Sequence, residues 1–401
     1  MMKQQLLRHP ALKLSTLALL LLTAGASQAA TTPDVTQVNI TLTGDNGGQC
    51  QLDTNKVKAG PVTFNIVNKT ATAITEIELL NNNRILGEKE NLAPGLPAVK
   101  FTLNLEGGNY QLYCPGAAKE LVDFTVNGQR SAQSSDSISA LLKQGTDGYG
   151  RYVESTVAGM VSAVAKLQTA INAGQLEQAK IAYAQARPFY ERIESDVDGF
   201  LLPGYKATDN AGNLDYLIDM RASNLDPAVG WHGFHAIERD LFEKGKIDKK
   251  TKQTAQGLVT HVAELNKQVK GLTYKPEDLA NGAADLLEEV QNTKINGEEE
   301  AYSHIDLVDF AGNVEGAMQA FAYLQPGLAK IDPALTQQVS EQFSAVRKLL
   351  DQYRDSKSLG GYRPYTQSLK AENAAKLSRA IQALQEPLSH IAEKVATHAG
   401  A

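Results

Sequence analysis

Apolar and polar residues along this chain change their spacing twice. A mostly apolar run, Leu14–Leu22, comes first. From about Val35 to Val126 the apolar positions alternate, as in Val38-Asn39-Ile40-Thr41-Leu42, Val62-Thr63-Phe64-Asn65-Ile66-Val67, Phe101-Thr102-Leu103-Asn104-Leu105 and Val122-Asp123-Phe124-Thr125-Val126. Turn residues separate these runs at Asn46-Gly47-Gly48, Ala59-Gly60-Pro61 and Gly107-Gly108-Asn109, so the stretch predicts short half-buried strands in a small antiparallel sandwich. Gly128–Asp136 then loses all apolar periodicity and reads as a linker. Beyond it the spacing becomes helical: Val153, Val157, Met160, Val161, Val164 and Leu167 share one face. Further helices are expected over Leu176–Glu194, Asp226–Phe242, Asp248–Leu272, Pro276–Thr293, Ser303–Leu324, Pro333–Arg354 and Lys370–Thr397. Each has the length of a bundle helix, so the C-terminal part predicts an all-α bundle.

The first apolar run changes the picture of where the protein works. Lys3, Arg8 and Lys13 precede or flank it, and Ser27-Gln28-Ala29 supplies small residues where a signal peptidase cuts. The run is too short to span a bilayer, so residues 1–29 read as a secretory signal with cleavage after Ala29. Losing those three cationic residues takes the formal charge from −6 to −9. An acidic exported protein is a poor partner for nucleic acid or anionic membrane and a fitting one for cations.

The candidate chemistry centres on Gly230-Trp231-His232-Gly233-Phe234-His235-Ala236-Ile237-Glu238. Asp226-Pro227 reads as the N-cap and first position of a helix that carries His235 and Glu238 on one face, with His232 beside them. Three other stretches carry acids at helical spacing: Glu191 and Glu194; Asp215 and Asp219; and Glu298-Glu299-Glu300, ahead of Asp306, Asp309 and Glu315. Converging carboxylates and one imidazole are how helical bundles build sites for hard or borderline cations, iron in particular. The commoner uses of such residues are plainer. Glu191 and Glu194 fit a solvated face paired with Arg192, the two Asp residues fit helix caps, and Glu298–Glu300 fits a solvated helix start. Cys50 and Cys114 are the two cysteines of an exported chain and fit a disulfide. Alternatively their thiolates, with Glu76 and Glu78 on a nearby strand face, would hold copper or iron at one end of the sandwich. Histidine is absent from this part, which excludes a blue-copper site with two imidazoles.

Taken in order, these segments resemble the EfeO family of periplasmic components of EfeUOB iron-uptake systems. The anchors are Glu76-Ile77-Glu78, Glu88-Lys89-Glu90-Asn91-Leu92-Ala93-Pro94-Gly95, Tyr190–Glu194, Gly233–Glu238 and Gly297–Glu315. The resemblance implies a cupredoxin-like β-sandwich over 30–128, a linker over 129–147 and a helical imelysin-like (M75) domain over 148–401. It implies iron bound in the helical domain by His235 and Glu238, with Glu191, Glu194, Asp215 and Glu299 as neighbouring acids. For the first domain it implies a copper or iron site using Cys50, Cys114 and Glu76, with Glu78 close by. Leu112 stands where family members often carry Met, which removes an axial thioether there, and Phe200–Asn213 reads as an insertion. The implied partners are an inner-membrane iron permease and a periplasmic haem peroxidase that assists iron redox chemistry, and the implied role is capture and delivery in the periplasm without turnover in isolation. Two rivals remain at this level: an M75-type metallopeptidase, although H-E-x-x-H is absent, and a protein binding acidic polysaccharide through metal.

Overall fold

A computed structural model describes residues 35–82, 84–129 and 137–398. The expected signal segment and residues 130–136 of the expected linker lie outside the described residues. Alternation does produce a sandwich. Strands β1 (Thr36–Thr43), β2 (Gln49–Leu52), β4 (Gly60–Asn68) and β7 (Val99–Leu105) form one sheet in the order β2-β1-β4-β7. The second sheet runs β3-β9-β8-β5-β6, from β3 (Lys56–Lys58), β5 (Ile77–Asn81), β6 (Arg84–Lys89), β8 (Gly108–Tyr113) and β9 (Leu121–Asn127). Val38, Ile40 and Leu42 all point inward, and Phe64 stacks on Phe101 with ring centroids 5.0 Å apart. The expected all-antiparallel pairing is corrected in one pair of each sheet, because β1 runs parallel to β4 and β3 parallel to β9. Period-two patterning fixes which face of a strand is buried and leaves its direction open.

The bundle is built from α1 (Ser137–Asn172), α2 (Leu176–Glu191), α3 (Glu194–Val197), α4 (Leu214–Asp219), α5 (Gly233–Glu238), α6 (Lys249–Gln268), α7 (Pro276–Glu289), α8 (Asp306–Ile331), α9 (Pro333–Leu350), α10 (Gln367–Leu388) and α11 (Ile391–Ala396). Helix α1 begins at Ser137, inside the stretch 129–147 expected as linker. Its first turns carry few large apolar side chains because α8 lies against them: a Cβ on Gly145 would sit 2.2 Å from the Tyr323 carbonyl oxygen. The long helix expected over Asp226–Phe242 is also corrected. Asp226–Gly230 is a turn, His232 is the N-cap, and α5 starts only at Gly233 before continuing as a π-helical turn over Arg239–Glu243. Gly233 has φ +75°, and a Cβ there would meet the Ile218 carbonyl oxygen at 2.0 Å, so this glycine lets α5 start hard against α4.

Sandwich and bundle share a polar interface. Buried Lys89 of β6 pairs with Asp285 and, at 3.0 Å, with Glu288, both on α7. The Asn104 amide N–H donates to Glu277 Oε1 at 3.1 Å, and Asn281 Nδ2 donates to the Thr102 carbonyl at 2.6 Å. A cleft opens where β6 faces the bundle, lined by Glu88, Glu90, Asp198, Asp215, Asp219, Arg221, Glu289 and Glu299 among others.

Candidate metal centre

Behind that cleft the bundle buries far more charge than a core normally tolerates. The short helix α5 turns His235 inward, 1% exposed, with Glu238 one turn later at 0%. Glu238 Oε2 lies 3.3 Å from His235 Nδ1, and its Oε1 accepts the backbone N–H groups of Tyr302 and Ser303 at 2.8 and 2.7 Å. Glu238 is thereby fixed in place and fixes the imidazole in turn. The other ring nitrogen, Nε2, faces Glu299 Oε1 at 3.2 Å and Asp219 Oδ1 at 3.6 Å. Asp219, His235 and Glu299 thus offer three ligand atoms within 4.8 Å of one another, as do Glu191, Glu299 and Asp309. A histidine whose far nitrogen is held by a carboxylate, with more carboxylates at the near nitrogen, is the donor arrangement of metal-binding imidazoles.

Three cations are interleaved with these acids. The guanidinium of Arg187, fully buried on α2, contacts Asp219, Glu191, Glu300 at 3.0 Å, Asp309 at 3.0 Å and Glu299 at 3.3 Å. Lys294 Nζ, also fully buried, lies 3.1 Å from Glu194, 3.4 Å from Glu191, 3.5 Å from Glu299 and 3.8 Å from Glu289. Arg221 bridges Glu289 and Glu299 at 3.0 and 2.9 Å.

Burial alone would push every carboxyl up, and the cations decide which ones escape. Burial raises Glu299, but Lys294 and Arg221 outweigh it and hold its carboxyl well below the usual range. Asp219 is likewise raised by burial yet lowered overall, by Arg187 and His235. Glu191 stays high, at about 8, with burial exceeding the pull of Lys294. Burial lowers His235, but Asp219 and its other acidic neighbours carry it well above the ordinary imidazole value. Asp309 Oδ1 is buried without a hydrogen-bond partner, an oxygen that a bound cation would satisfy.

The residues singled out from sequence fall into three places. His235, Glu238 and Glu299 meet directly, and Glu191 and Glu194 join them through Lys294. Asp215 does not meet His235: it lines the cleft and accepts the Tyr190 hydroxyl, with its carboxyl raised to about 6 chiefly by burial. Its neighbour one turn on, Asp219, takes the inner position. His232 lies outside the cluster, with its Nε2 3.2 Å from the Val229 carbonyl. Glu299 and Glu300 are buried at 2% and 0%, so this run is no solvated helix start.

In the sandwich, Cys50 and Cys114 are joined as a disulfide. A disulfide sulfur is no thiolate ligand, so the copper or iron set of Cys50, Cys114 and Glu76 is not assembled in this form. Glu78 lies opposite Tyr113, the residue before Cys114, in the β5–β8 register. It also lies opposite Glu88 in the β5–β6 register and is pushed up to about 9 by burial and by the charges of Glu88 and Glu76. Glu76 is raised by burial and then by the charge of Asp215.

The imelysin family model (Peptidase_M75) matches residues 145–391. The iron uptake system component EfeO of Escherichia coli strain K12 is 35% identical over 389 residues, covering 96% of this chain and 97% of its own. The protein of the same description from Shigella flexneri matches equally, and that from Shigella boydii serotype 4 is 34% identical over 367 residues, covering 90% and 92%.

Proposed function

From the premise that this chain belongs to the EfeO family and carries an imelysin domain, we propose that it is exported to the periplasm, captures iron at the His235 cluster and passes it to an inner-membrane permease. The observation that carries this reading is the convergence of His235 Nε2, Asp219 and Glu299 inside a ring of further acids. Iron is the cargo. Oxygen donors with one imidazole suit ferrous or ferric iron better than a soft ion. Glu238 orients the imidazole, Asp219 and Glu299 supply charge at its free nitrogen, and the acid-lined cleft beside β6 is the route from solvent. A haem peroxidase partner would exchange electrons with iron before or after capture. A peptidase reading fits less well. The glutamate of a hydrolytic site needs a free oxygen to activate water, whereas both oxygens of Glu238 are engaged.

The deciding experiment is a calorimetric iron titration of the mature protein and of His235→Ala. Loss of at least tenfold in affinity is expected. Equal affinity in the two proteins would remove the cluster from iron binding and the proposal with it.

A further inference from the structure

The cleft reaches the His235 cluster through two of its candidate ligands, Asp219 and Glu299, and Arg221 stands beside them. Arg221 Nη1 donates to Glu299 Oε2 at 2.9 Å and to Glu289 Oε2 at 3.0 Å. Glu299 therefore works with two hands: Oε1 faces His235 at 3.2 Å, and Oε2 is held by Arg221 and, at 3.5 Å, by Lys294. The three cations that touch Glu299 are not equivalent. Arg187 and Lys294 are fully buried and stand behind the acids, whereas Arg221 keeps 15% of its side chain exposed and borders the cleft.

We infer that Arg221 is a competing counter-ion at the mouth of the site, which holds Glu299 while no cargo is bound and must release it for an incoming cation. The inference rests on the proposed iron-binding role of the His235 cluster. Several features support it. Arginine stays protonated at any working pH, so it yields Glu299 only by moving. One nitrogen shared between two carboxylates is a weaker tether than a two-nitrogen fork on one of them. Arg221 precedes a single 3-10 turn, Ala222–Asn224, in the connection between α4 and α5, so its release disturbs no long helix. The carboxylate of Asp215 lines the same cleft and offers Arg221 a second partner. While it stays, its unit positive charge opposes that of the cargo, and a separation on the order of 6 Å would weaken binding of a divalent ion about tenfold even at the screening of water.

The test titrates ferrous iron, without oxygen, into parent, Arg221→Gln, Arg221→Lys and His235→Ala proteins. Affinity is read by calorimetry and association by stopped-flow quenching of Trp231, the single tryptophan, whose Nε1 donates to the carbonyl of Met220 next to Arg221. Gln removes the charge, and about tenfold tighter and faster binding is expected. Lys keeps the charge but reaches one bond less far than Arg221 Nη1 and so holds Glu299 and Glu289 less firmly, and faster association at an affinity within about twofold of the parent is expected. A Gln variant that binds as the parent does, or more weakly, overturns the inference. If Gln does not fold, a Lys variant that associates at the parental rate overturns it. A parent that binds iron no better than His235→Ala overturns the iron-binding reading instead, and this inference falls with it.

Discussion

Lys294→Met separates a charge-balanced site from an ordinary buried ion pair. Methionine matches the lysine stem in length and volume, so the packing change alone costs under about 1.5 kcal/mol. Removing the ammonium is the larger effect. Its nitrogen lies within 4 Å of Glu191, Glu194, Glu289 and Glu299, and its side chain is fully buried. Taking one partner from such a group costs about 3–5 kcal/mol, because the charges left behind have no water. At about 2 °C per kcal/mol for a chain of this size, the metal-free variant should melt about 6–10 °C lower near pH 8. The pH dependence carries the sharper signature. Lys294 helps to hold Glu299 and Glu289 below the usual carboxylate range against their burial, so without it these acids are pushed up. Between their unfolded value near 4.3 and that raised value, the folded variant binds protons that the unfolded chain does not, and its stability rises as pH falls. The gap between variant and parent should therefore narrow from pH 8 to pH 5. Melting curves at several pH values in chelator measure it. A loss below about 1 kcal/mol at pH 8, or a gap that widens toward pH 5, would refute the charge-balance argument.

Three further outcomes follow from the same geometry. Glu238→Gln keeps the shape but weakens the hold on His235 Nδ1, and iron affinity should fall about 10–100-fold by calorimetry, with melting of the metal-free protein showing whether the fold survives. Because its acidic neighbours raise His235 above the ordinary imidazole range, near 6.5, iron binding there should release a proton, read as a binding heat that varies with buffer ionisation enthalpy; affinity should already decline above that range as pH falls, and a pH-independent affinity would contradict this. Gly145→Ala should destabilise the bundle by about 1–3 kcal/mol in denaturant melts, since its Cβ meets the Tyr323 carbonyl, and a neutral substitution would show that α1 and α8 can separate freely.

Legibility in the sequence followed the range of the interaction. Alternation in Val38-Asn39-Ile40-Thr41-Leu42 marks an inward face that the sandwich does bury, because burial of a strand is decided by its own residues. The pairing of β1 with β4 is decided by a connection of variable path, and no local pattern encodes it. The start of α1 was hidden for a related reason: Gly145 and Gly148 are helical because Tyr323 fills the space they leave, a fact about α8. In the site, His235 and Glu238 stand out because three-residue spacing suffices to bring them together. The choice between Asp215 and Asp219 could not be read that way. They are four apart on α4, and what separates their roles is that Tyr190 takes one while Arg187 and His235 take the other.

The cations explain why the acids alone misled. Glu191, Glu194 and Glu299 read in the sequence either as metal ligands or as solvated surface acids, yet each is held inside by a positive partner in Arg187, Lys294 or Arg221. A cluster built only for tight retention would leave its carboxylates to the metal, since each internal cation subtracts from the cargo's binding energy. A cluster that must exist empty, and empty itself again, needs those cations, because acids buried together without counter-charge take up protons or unfold the core. Under the proposed reading the interleaved arginines and lysine hold the empty form together and keep the loaded form from becoming a trap. The proposed delivery to a permease would require both.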